Sequence, residues 1–73
     1  MKNIVWSFND SQKADSFIQE METLERQDEF RRCGQASFYI IIPNEASKEE
    51  AEYDIDAFLY QLGYVQGLDY KFL

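Results

Sequence analysis

Ser37-Phe38-Tyr39-Ile40-Ile41-Ile42-Pro43 decides the architecture. Five consecutive large apolar or aromatic side chains leave no polar face. A β-strand of that kind belongs in the middle of a sheet, covered on both sides. Pro43-Asn44 ends it, because proline cannot donate to a sheet ladder.

Two amphipathic helices flank this strand. Downstream, Ser47-Lys48-Glu49-Glu50 is a capping box, with a serine cap and a glutamate three residues on. The helix it opens carries Ala51, Ile55, Phe58, Leu59 and Leu62 on one side. Gly63 is placed to end it as the residue after the cap. Upstream, Asn9-Asp10-Ser11 is a cluster of N-cap residues. Ala14, Phe17, Ile18, Met21 and Leu24 then recur at three- and four-residue steps. That stripe fails beyond Leu24, so the first helix is expected to run from about Asp10 to Arg26 or Gln27.

The ends of the chain alternate. Ile4, Trp6 and Phe8 share one face of a first strand, with Asn3, Val5 and Ser7 on the other. Leu68, Tyr70 and Phe72 alternate with Asp69 and Lys71 as a last strand after the Gly67 turn. Between the first helix and the central strand, Phe30-Arg31-Arg32 reads as a short charged edge strand, joined through a turn at Gly34-Gln35. Charge on an edge discourages further pairing. An extension of the first helix through residues 29–33 is the other reading of that stretch.

The order is then βαββαβ, an α+β domain of the ferredoxin-like type, with two helices on one face of an antiparallel sheet. The alternative is a three-stranded βαβαβ sheet with a longer first helix. Ile4, Trp6, Phe8, Phe38, Ile40, Ile42, Leu68, Tyr70 and Phe72 are expected to meet the two helix stripes.

The chain has 73 residues, room for a single domain spanning 1–73. A chain of this size buries only about 60% of its unfolded surface. Its aromatic content of 16% offsets part of that deficit. Cys33 is the one cysteine, which excludes an internal disulfide and suits a reducing compartment. After Met1-Lys2 the chain is too polar for a secretory leader, and no apolar run approaches a membrane span. The expectation is a soluble, cytoplasmic protein that does not engage a membrane.

Charge sorts the function classes. Fourteen Asp and Glu stand against seven Lys and Arg, with no histidine, for a net charge of −7. Direct nucleic-acid binding, which relies on neutralising phosphates, is disfavoured. Arg31-Arg32 near aromatics is the sole item in its favour. No Ser-His or Cys-His pair can form, and the usual Cys/His zinc site is excluded. The carboxylates lack the spacing of a calcium loop. Gly34, Gly63 and Gly67 are turns or caps, not a phosphate cradle. Cys33 beside Arg31 and Arg32 has no second thiol or imidazole to work with, and reads as a plain thiol at a turn. No cofactor, metal or catalytic set is expected, and the chain is read as non-enzymatic.

The acids are concentrated. Residues 45–56 hold six of them and one base, Lys48. At 100° per residue, Glu49, Tyr53, Asp56 and Tyr60 fall together opposite the apolar stripe of the second helix, with Glu52 at the border. Tyrosines among acids on an exposed face read as a docking surface for a basic partner. A merely solvated acidic face, with acids favouring the helix N-terminus, is the plainer alternative. The second candidate surface is the sheet face away from the helices. There Val5, Tyr39, Ile41 and Leu73 form an apolar patch suited to a homodimer or second interface, unless Arg31 and Lys71 lie across it. Two functions follow as expectations. One is an acidic module that binds a basic or nucleic-acid-handling protein and modulates it, as a bacterial or viral inhibitor does. The alternative is a small-ligand-binding or regulatory homodimer domain.

Overall fold

The computed structural model describes residues 2–73. Strand β1 covers Lys2–Phe8, helix α1 Ser11–Thr23, β2 Arg31–Arg32, β3 Ser37–Ile42, α2 Lys48–Gln61 and β4 Tyr70–Phe72. A 3₁₀ turn at Gln27–Glu29 precedes β2. The four strands form one sheet in the order β2-β3-β1-β4, every neighbouring pair antiparallel. This is the expected α+β domain with two helices and a four-stranded antiparallel sheet, its strand order compatible with a ferredoxin-like fold. Residues 29–33 therefore do not extend α1.

The apolar run earns its central position through register. Val5 stands opposite Tyr39, Ile4 opposite Ile40 and Trp6 opposite Phe38. Ile4, Trp6, Phe8, Phe38, Ile42 and Tyr70 of the sheet are buried against Ala14, Phe17 and Met21 of α1 and Ile55 and Leu59 of α2. Trp6 lies stacked on Phe38, with Phe17 and Phe30 edge-on to it at 6.1 and 5.8 Å. Its indole N–H is buried and has no hydrogen-bond partner among the described residues.

Both helices start as the sequence indicates. The Asp10 carboxylate accepts from the Lys13 N–H at 2.8 Å, and the Ser47 hydroxyl accepts from the Glu50 N–H at 3.3 Å. Both also end in the same motif. Tyr64 N–H donates to Leu59 C=O and Arg26 N–H to Met21 C=O, while Gly63 and Glu25 take positive φ of 99° and 57°. Gly63 suits that geometry, but Glu25 is a side chain held in left-handed backbone. This ends α1 at Thr23, three or four residues before the expected stop, and leaves Leu24 half exposed. Glu25→Gly is accordingly expected to raise stability by about 1 kcal/mol, checked by urea unfolding. An unchanged or lower midpoint would show that Glu25 is not strained.

One expected core residue lies outside the core, and an unexpected one takes its place. Leu68 is 71% exposed, because the chain turns at residues 65–69 before β4 begins. Asp69 closes that turn by accepting from Val65 N–H at 2.8 Å and pairing with Lys13 at 2.8 Å. The Lys13 and Val65 hydrogen bonds hold the Asp69 carboxyl below its usual range. In place of Leu68 the core takes Tyr64, whose ring lies 5.0 Å from Phe8.

The strands carry Lys2, Arg31, Arg32 and Lys71 and no acid. Taking their +4 from the total of −7 leaves −11 on the helices and connections. Charge is thus segregated by element.

Candidate functional site

The acidic face of α2 is built by the same turns that bury its other side. Ile55 and Leu59 are buried, and Ala51, Phe58 and Leu62 are half-buried against the core. The opposite side therefore faces outward. Tyr53 and Tyr60 are 73% and 68% exposed, and Glu49 is exposed between the cap and Tyr53. No core contact explains two such phenols on a helix surface.

Glu52 and Asp56 lean toward β4 and are half-buried. The Tyr70 hydroxyl donates to the Asp56 carboxylate. Burial, and then that carboxylate, push the Tyr70 phenol above its ordinary range. Asp56 thus has a structural task that the helical wheel did not show, namely fastening α2 to β4.

Glu49, Glu52, Tyr53 and Asp56 line a shallow hollow of about 220 Å³, closed by Phe72 and Gln66. Tyr60 lies outside it, one turn farther along the helix. Phe72 and Gln66 are additions to the sequence reading. Phe72, expected in the core, packs against it only half-buried because β4 is an edge strand. Three carboxylates and two rings in one hollow suit a lysine or arginine side chain, which gains from carboxylates and from aromatic faces together. The carboxylates do not gather as a metal ligand set, and no such group of three occurs among the described residues.

The other candidate surface is the open face of the sheet. Cross-strand register places Arg31, Tyr39, Val5 and Leu73 in one row, with Lys71 beside it opposite Ser7. Val5 and Tyr39 are half-buried, while Ile41 and Leu73 are 47% and 62% exposed. The adjacent Arg31 and Arg32 point to opposite faces. Arg32 donates to Gly34 C=O and Gln35 C=O and bonds Asp15 of α1 at 3.0 Å, so it closes the β2–β3 turn. Cys33 is exposed at that turn.

No family model matches the chain, and neither a curated protein nor a solved structure matches it. No helix among the described residues is long and apolar enough to cross a membrane.

Proposed function

We propose that this chain is a non-enzymatic, cytoplasmic interaction module that binds a basic protein through the outer face of α2. The observation that carries the reading is Tyr53 and Tyr60, both more than two-thirds exposed, set among Glu49, Glu52 and Asp56. Negative charge raises the rate of encounter with a basic surface, and exposed rings then supply contact area with few rotors to freeze. A basic surface that handles nucleic acid is the fitting target class. A module seated there competes with phosphates for the same cations and inhibits its host by occupancy.

Affinity capture at low and high salt, followed by titration of the captured protein, tests this. Glu49→Lys with Tyr53→Ala changes two exposed side chains and spares the Asp56–Tyr70 link. Binding is expected to weaken by at least about tenfold in that variant, and to fall steeply with salt in the parent. A partner indifferent to both salt and the two substitutions overturns the proposal.

A second reading, a regulatory homodimer joined through Val5, Tyr39 and Ile41, is favoured by one observation. The Val5–Tyr39 cross-strand pair continues into exposed Ile41 and Leu73 without an intervening charge. Sedimentation equilibrium separates the two. A monomer at the highest attainable concentration removes the dimer and leaves the docking face of α2.

A further inference from the structure

Strand β3 is paired with β1 along its whole length, but its other edge is paired only in part. In an antiparallel ladder each residue directs its N–H and C=O to the same neighbour, and successive residues alternate. The bond from Cys33 N–H to Ser37 C=O, 2.9 Å, sets the phase. Ser37, Tyr39 and Ile41 face the β2 side, and Phe38, Ile40 and Ile42 face β1. Cys33 serves Ser37, and Arg31 stands opposite Tyr39. The chain before β2 then leaves the sheet as the 3₁₀ turn, so no strand among the described residues lies beside Ile41.

A groove of about 410 Å³ opens at this edge, between β3 and α2, floored by Phe30, Ile40, Ile55 and Phe58. The rings of Phe30 and Phe58 stack at 5.8 Å, and the Arg26 guanidinium lies 4.4 Å over Phe58. Arg26 is itself neutralised by two bonds to Glu29, at 2.8 and 2.9 Å. That leaves the Asp54 carboxylate as the charge on the rim without an ion-pair partner among the described residues, with Glu50 one helical turn before it.

We infer that Ile41 and this groove receive an extended segment of a partner protein, added along the edge of β3 where β2 ends. The segment's backbone takes up the Ile41 N–H and C=O. Its side chains on the helix side fall two residues apart. One is apolar and enters the groove against Phe58, and the next is Lys or Arg and meets Asp54. A second copy of this chain is the poorer occupant, since symmetric pairing at Ile41 brings two Asp54-Glu50 edges together in a protein of net charge −7. The inference takes from the proposed function only that the partner is basic. Its site lies on the opposite flank of α2 from the Tyr53 hollow.

A displayed library of random dodecapeptides, selected on the full chain, supplies the probe. Enriched sequences are expected to share an apolar residue with Lys or Arg two positions away. The synthetic form of one should slow hydrogen exchange of the Ile41 amide by about tenfold or more at saturation. Asp54→Lys in the chain, or N-methylation of the peptide residue opposite Ile41, should each weaken binding by about tenfold, while Glu49→Lys has no effect. Enrichment without that pattern, unchanged exchange at Ile41, or tolerance of N-methylation overturns the inference. Peptides that instead respond to Glu49→Lys and Tyr53→Ala overturn it while supporting the docking face. Protection of Ile41 that rises with chain concentration and needs no peptide assigns the edge to a second copy, and also overturns it.

Discussion

Phe17→Ala is expected to remove about 3–5 kcal/mol of stability, the usual range for deleting a fully buried ring. Phe17 is completely buried at the centre of the aromatic core. Its ring centroid lies 5.0 Å from Phe38, 5.3 Å from Phe30, 5.6 Å from Phe8, 6.1 Å from Trp6 and 6.4 Å from Tyr64. One substitution therefore opens a void facing five rings contributed by both halves of the chain. At roughly 0.05–0.15 kcal/mol per residue, the total available is only about 4–11 kcal/mol. The midpoint of thermal unfolding should fall by more than about 12 °C. Leu24→Ala, half exposed just beyond α1, serves as the comparison and should cost less than about 1 kcal/mol. Circular dichroism melts of the two variants check the expectation. A loss at Phe17 no larger than at Leu24 would mean that the ring cluster does not hold the domain together.

The second large effect lies at high pH. Tyr64 donates to the Glu20 carboxylate at 2.9 Å and Tyr70 to that of Asp56. Burial first, and the neighbouring carboxylate second, raise both phenols above their ordinary value near 10. Unfolding frees phenols that ionise near 10, whereas the folded chain keeps these two neutral above that pH. Their contribution is thus complete below about pH 10 and is lost as pH rises toward the folded values. The chain should unfold in base, with the last of its tyrosine ionisation, read by ultraviolet difference absorbance, coinciding with loss of helix. Tyr64→Phe with Tyr70→Phe removes both protons and should flatten the alkaline limb. Full ionisation of all tyrosines inside a still-folded chain would contradict this.

What the sequence disclosed, and what it hid, divides along a physical line. Signals within one element were legible. Continuous apolarity of residues 38–42 marked the inner strand, Ser47 and Glu50 marked a helix start, and charge at Arg31-Arg32 marked an edge. Relations between elements were not. Helical spacing put Asp56 on the outer face, but its use depends on where Tyr70 of another element lies. Period-2 alternation drew Leu68 into a strand, because nothing local shows that Asp69 folds back onto Val65 and Lys13. Tyr64 was discoverable, since an apolar residue directly after a helix-ending glycine commonly folds back on the last turn. The end of α1 carried no comparable sign, as glutamate rarely takes the left-handed geometry that Glu25 adopts. Of the docking face, the residue types were readable in advance. The hollow was not, because Phe72 and Gln66 come from the far end of the chain.

Trp6 is the sole tryptophan of the chain, sealed from solvent, ringed by Phe17, Phe30 and Phe38, and without a partner for its indole N–H among the described residues. The domain thereby carries an internal light source. An indole cut off from water and polar neighbours emits toward the blue and is beyond the reach of dissolved quenchers. Its emission reddens when the aromatic cluster opens, and it does not register an occupant settling on Tyr53 at the surface. Its emission therefore reports unfolding alone, undisturbed by association at that face and without an attached dye.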